Sequence, residues 1–159
     1  MSVKIAGIAE VKRQFAGIEA FLASTKPMES IVADIKTLIL VKTASGLDYM
    51  GRSFKPYSTA YKKKKTGMTA TGRPNLKVTG TMLDAIKTEV KDPRHGAVFV
   101  SSVGESGGGI NADMLAQIHT TGTGKQPRRE FMNLAPSAVK KLTKKYYDDP
   151  ILELVKATR

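Results

Sequence analysis

The stretch from Gly51 to Gly80, "GRSFKPYSTAYKKKKTGMTATGRPNLKVTG", does most to limit what this chain can become. It is rich in Gly, Pro, Ser, Thr and Lys and holds few large apolar side chains, so it can withdraw little surface from water. Such a segment reads as a long surface loop, with one short helix near Ser58–Lys64. Regular structure must then come from the two sides of it. For a chain of 159 residues this implies one domain. It would comprise N-terminal helices over 1–46, the basic loop over 51–80, and a helix, a β-hairpin and C-terminal helices over 81–159.

Hydrophobic periodicity supplies those elements. Ile8, Val11, Phe15, Ile18 and Leu22 recur at alternating steps of three and four, one stripe of a helix. Ser24 or Thr25 suits a helix start, with Pro27 in the first turn. Ile31, Ile35, Leu38 and Ile39 carry a second stripe toward Gly46, a natural helix terminator. A third helix is expected from about Thr79 through Met82, Leu83 and Ile86. "IKTEVKD" and "AVFVSSVG" flank the turn chemistry of "DPRHG" and predict an antiparallel hairpin. "ESGGGI" reads as a flexible connection, and "NADMLAQIH" as a short helix capped by Asn111. "REFMNL" is expected as a strand with Phe131 and Leu134 toward the core. Pro136 opens a last helical stretch to about Tyr147, which Pro150 restarts or ends. The fold class is therefore α+β: an antiparallel β-sheet packed against helices, with an N-terminal helical pair and long flexible loops.

Composition removes several function classes. The absence of cysteine excludes disulfides and thiolate metal sites. His95 and His119 stand in no metal-ligand spacing, so no metal is expected. No apolar run approaches the roughly 20 residues of a bilayer span. The N-terminal stretch, interrupted by charge at Glu10, is unlike a signal peptide, so a soluble protein with no membrane partner is expected. The net charge of +12 is unevenly placed. Tyr49–Leu83 holds eight Lys/Arg and no acid, and Gly124–Tyr147 holds seven against one Glu. A field this concentrated favours an anionic partner, either nucleic acid or an acidic protein surface.

The segment "TTGTGKQPRRE" invites a phosphate-binding reading, which its spacing refuses. A P-loop around Gly124-Lys125 would need glycine where His119 stands and a hydroxyl where Gln126 stands. Pro127 then follows where the anion-binding helix should begin. Asp113 and His119 fall on different faces of one helix, and no activated nucleophile accompanies them. The sequence therefore predicts no enzyme and no cofactor. Non-specific nucleic-acid binding through "YKKKKTG" and "GKQPRRE" is the alternative function, although no groove-reading or base-stacking motif supports it.

The order of the motifs says more than any one of them. "GRSFKPYSTAYKKKK", "LKVTGTMLDAI", "VFVSS", "LAQIHTTG" and "PRREFMNL" follow in the order that resembles the phage virion-morphogenesis, or tail-completion, family. The matching positions are Leu76, Thr79 and Gly80 at a helix start, Ala116, His119 and Gly122, and then Pro127, Arg129 and Phe131. The chain departs from the family pattern at Leu115, at Thr120 and Thr121, and at Met132 and Asn133. The resemblance implies a non-enzymatic head–tail joining protein of the neck, acting as a homo-oligomeric ring. Implied partners are the portal or adaptor and the tail-terminator or tail-tube proteins, with DNA of the channel as a further contact. It also implies residence in the virion, after a period in the host cytoplasm before assembly. On that reading Phe54, Tyr57, Lys62, Lys63, Lys64, Lys65, Lys125 and Arg128 contact neighbouring subunits or partners. Thr79, Gly80, His119, Gly122, Pro127, Arg129 and Phe131 shape the structural motif, with His119 and Gly122 forming a turn and Arg129 and Phe131 anchoring it to the core.

Overall fold

A computed structural model describes residues 7–59, 74–77, 80–102, 105–106, 110–123 and 126–157. The fold is α+β, with an N-terminal helical pair and helices around a two-stranded antiparallel sheet. Helix α1 spans Ile8–Ala23 and α2 spans Lys26–Ala44, with Pro27 in the first turn of α2. A proline there loses nothing, because the first helical N–H groups have no partner within the helix. Thr25 occupies the cap position, and its hydroxyl donates to Glu29 Oε1 at 2.6 Å rather than capping the backbone. The helix ends as the sequence predicts. The N–H of Gly46 bonds Thr43 O and that of Leu47 bonds Lys42 O, both at 2.9 Å, the paired bonds of a Schellman terminus.

Three expected elements change form. The third helix, α3, is only Thr81–Asp84, and Ile86 already belongs to strand β1, Ile86–Asp92. The helical stripe of Met82, Leu83 and Ile86 is also compatible with a single turn feeding a strand whose first side chain is buried. The "ESGGGI" segment places two short strands, β3 (Glu105–Ser106) and β4 (Ile110–Asn111), in antiparallel register. "REFMNL" forms no strand: Phe131 is buried and Leu134 half-buried, but the segment bends at Met132 and has no ladder partner. Phe131 and Leu134 stand three apart and would fall on opposite faces of a strand, so burying both favours an irregular path.

The main hairpin follows the sequence. Strand β1 pairs with β2, His95–Val100, running from Ile86 opposite Val100 to Asp92 opposite His95. Pro93 and Arg94 make the turn, and Asp92 Oδ1 accepts the Arg94 N–H at 2.8 Å. Helix α2 crosses one face of this sheet. Gly96 lets it come close, since a Cβ there would lie 2.7 Å from Val32 Cγ1. The core gathers Ile39 of α2, Phe54, Leu76, Met82, Leu83, Ile86, Ala116 and Phe131. Phe54 and Leu76 belong to the stretch expected to bury little. The described ends of that stretch are core-anchored, and the short helix expected near Ser58–Lys64 lies largely outside the described residues.

Helix α4, Ala112–Thr121, follows β4, with Asn111 at its start but without a side-chain capping bond. The C-terminal helical stretch comprises α5 (Pro136–Thr143), a π-helical turn (Lys144–Asp148) and α6 (Asp149–Lys156). Pro150 accounts for the π turn. In an α-helix its ring would meet the Tyr146 carbonyl and leave that carbonyl without a donor, and widening the turn relieves the clash. The same turn presents two adjacent tyrosines to different elements. Tyr146 Oη donates to Asp34 Oδ2 on α2 at 2.7 Å, and Tyr147 Oη donates to Pro93 O in the hairpin turn at 2.9 Å.

The Tyr146 hydroxyl, joined by Lys145 Nζ at 3.0 Å, holds the Asp34 carboxyl below the usual carboxylate range. Because this pKa is depressed in the fold, the contact contributes fully above the unfolded value of about 3.9. It is lost as pH falls through the lower folded value. We expect near-ultraviolet circular dichroism to report loosening of the C-terminal stretch only on acidification below about pH 3.9. Asp34→Asn should be looser already at neutral pH and show a flatter acid profile; identical profiles for the two proteins would remove this contact from the docking energetics.

Candidate assembly surface

Three of the five motif segments meet at one buried residue, Arg129. Only 1% of Arg129 is exposed, beside Phe131 at 2%. Its Nε and Nη2 both donate to the Lys55 carbonyl, at 3.1 and 3.0 Å, and its guanidinium lies 4.8 Å from the centre of the Tyr57 ring. Its own backbone N–H donates to His119 O at 2.7 Å. Burying a cation is costly unless hydrogen bonds or a π face replace water, and here a carbonyl and a ring do so. One residue thus ties the start of the basic segment to the end of α4.

The approach to this point is built locally. After Gly46 the chain turns through Asp48, whose Oδ1 accepts the N–H groups of Met50 (2.9 Å) and Arg52 (2.8 Å). Arg52 Nε adds a contact to Asp48 Oδ2 at 2.8 Å. Burial pushes the Asp48 carboxyl up, yet hydrogen bonds from the Arg52 N–H and guanidinium and from the Met50 N–H hold it below the usual range. The turn sets Leu47 against Ser53 and returns the Phe54 N–H to Gly46 O at 2.8 Å, which delivers Phe54 to the core. At the other end of the basic segment Pro74 and Leu76 are buried. Leu76 takes a positive φ of 55° there, a conformation that costs a side-chain-bearing residue about 1 kcal/mol or more.

Helix α4 ends on Gly122, with φ 75° and its N–H bonded to Ile118 O at 2.9 Å. The returning chain passes directly over it, so that a Cβ on Gly122 would sit 2.8 Å from Arg128 N. His119 is half-buried in the last turn of α4, where a histidine suits the helix dipole, while Asp113 is exposed in the first turn. Among the described residues no group of three or more His, Asp or Glu could hold a metal ion. The arrangement offers packing, hydrogen bonding and charge.

The sequence-expected residues divide accordingly. His119 and Gly122 at the end of α4 lie against Arg129 and Arg128, Phe131 is buried beside Arg129, and Pro127 lies half-buried between them in sequence. Gly80 is buried at the start of α3 with φ 98°. Two expected contact residues change role. Phe54 is a core residue, because the Asp48 turn aims it inward. Tyr57 is half-buried and its ring serves Arg129. Arg128 is exposed and pairs with Glu130 at 2.8 Å. Thr79, Lys62, Lys63, Lys64, Lys65 and Lys125 lie outside the described residues. Sequence reasoning missed the Lys55 carbonyl and the Asp48–Arg52 turn. A backbone acceptor leaves no sequence signature, whereas the spacing of Asp48, Gly51 and Arg52 did carry turn chemistry.

Comparison with protein-family models, with curated proteins and with solved structures finds no match to this chain. Among the described residues no helix is long and apolar enough to cross a membrane.

Two substitutions test this junction by urea unfolding. Arg129→Met should cost about 2–4 kcal/mol, since it removes two charged hydrogen bonds and strands the Lys55 carbonyl; a change under about 1 kcal/mol would show the guanidinium to be dispensable. Gly122→Ala and Gly122→Asn should destabilise by similar amounts, about 1–3 kcal/mol. Asparagine tolerates the left-handed conformation but still brings a Cβ against the Arg128 backbone. Recovery with asparagine would mean that φ alone demands the glycine.

Proposed function

We propose that this chain is a non-enzymatic structural component of a tailed-phage virion. It completes the tail or neck and joins tail to head as one subunit of an oligomeric ring. The supporting observation is the convergence of motif residues on Arg129. Lys55 and Tyr57, His119 and Gly122, and Arg129 and Phe131 are far apart in sequence and meet at one anchored junction. These residues belong to three of the five segments whose order resembles the virion-morphogenesis family. The fold they build is a frame that anchors the described residues on either side of the lysine-rich segment, Phe54 and Leu76. Such a frame suits a ring subunit, in which a rigid body holds position and a charged segment reaches a neighbour.

The basic segment supplies the attraction. Lys62–Lys65 are four consecutive cations, and their complement is an acidic face on a portal, adaptor or tail-tube protein, or DNA in the channel. Replacing all four by serine should leave the circular dichroism spectrum and unfolding midpoint unchanged. Infectious-particle yield should fall by about tenfold or more, the effect of a few tenths of a kcal/mol per lysine summed over one contact. Unchanged yield would refute the role of this segment. Binding to arbitrary DNA that falls about a thousandfold between 50 and 200 mM salt, with particle joining unaffected by loss of the protein, would instead establish the nucleic-acid reading.

A further inference from the structure

The apolar stripe of α1 is not the face by which α1 packs. The half-buried residues of this helix are Glu10, Gln14, Gly17, Ile18 and Phe21, and Phe21 meets the Tyr147 ring edge-on at 6.2 Å. The stripe lies about a quarter turn away at roughly 100° per residue. It leaves Ile8 77%, Val11 40%, Phe15 62% and Leu22 44% exposed, with only Ile18 on the border. Among the described residues nothing packs over this apolar side, which makes it a candidate docking face.

Two observations identify that partner. The first is spacing. Steps of three and four from Ile8 to Leu22 reproduce the repeat of a two-helix seam, which fits another helix better than a flat surface. The second is charge. The side of the seam next to Gln14 and Phe21 is occupied by the chain's own packing, so only the other flank is open. That flank carries Lys12 and Glu19, both exposed and one heptad apart. Set two such helices antiparallel, with Val11 opposite the partner's Leu22 and Phe15 opposite the partner's Ile18. Lys12 then falls beside the partner's Glu19, and the twofold axis repeats the pair. A parallel arrangement would instead set Lys12 and Glu19 against Gly7 and Gln14, neither of which is charged.

We propose that α1 pairs antiparallel with the α1 of a second copy of this chain, through a seam of Val11, Phe15, Ile18 and Leu22 flanked by reciprocal Lys12–Glu19 ion pairs. The contact is isologous, so it closes at two copies and is separate from the head-to-tail contacts a ring requires. It therefore stands whatever function the chain has. A seam of this length buries well under the roughly 1,200 Å² of stable complexes, so the dimer is weak and concentration-dependent.

Sedimentation velocity on the full chain, from micromolar to several hundred micromolar, tests this. The wild type should show a monomer–dimer equilibrium. Phe15→Glu should abolish it without changing the circular dichroism spectrum, since Phe15 is exposed in the monomer. Lys12→Glu and Glu19→Lys should each raise the dimer Kd by about tenfold, because each turns two attractive pairs into two repulsive ones. The double variant should recover wild-type affinity, and an equimolar mixture of the two single variants should form heterodimers. A chain that stays monomeric throughout, a dimer indifferent to Phe15→Glu, or a double variant as weak as the single ones would each overturn the pairing. So would a monomeric chain that binds phosphatidylserine vesicles through α1, which would make the stripe a membrane-surface face.

Discussion

A single buried cation, Arg129, organises the part of this protein that carries its motifs. The guanidinium gives up water for the Lys55 carbonyl and the Tyr57 ring, and the exchange is tolerable only if both are held in place. Holding them requires the Asp48 turn, which steers Phe54 inward and so fixes the course of Lys55 and Tyr57. It also requires the chain after α4 to return close enough for the Arg129 N–H to reach His119 O. That return is what crowds Gly122 against the Arg128 backbone. The glycine, the histidine carbonyl and the arginine are consequences of one geometry.

A second frame holds the helices to the hairpin. Pro150 forces a π turn, and the π turn sends Tyr146 to α2 and Tyr147 to the hairpin turn. Helix α2 thus contacts both the sheet and the C-terminal stretch, while Phe21 of α1 meets Tyr147. The body so fixed leaves the basic segment anchored at Phe54 and at Leu76. On the proposed reading, that combination of fixed frame and tethered charge is what an assembly subunit uses.

Much of the fold was legible in the sequence because it rests on local signals. Gly46 marked a helix end, "DPRHG" marked a turn between alternating strands, and Pro27 and Pro136 marked helix starts. Errors arose where tertiary context decides. The stripe of α1 predicted a helix correctly but not its packing face, because periodicity is blind to which partner a face meets. Phe54 was expected at a subunit or partner contact on the family resemblance; the turn that buries it depends on a carboxylate satisfying three donors. Of the site, Arg129 and Phe131 were legible as anchors through motif order, whereas the carbonyl that receives Arg129 could not be read from residue types.

The assembly role is tested most directly by complementation in vitro. Heads and tails would be prepared from a phage lysate lacking this protein, mixed with the purified chain, and scored by electron microscopy and plaque formation. The proposed role predicts separate heads and tails before addition, and joined, infectious particles after it. Particles already joined without the protein, or heads and tails that stay apart after its addition, would contradict it.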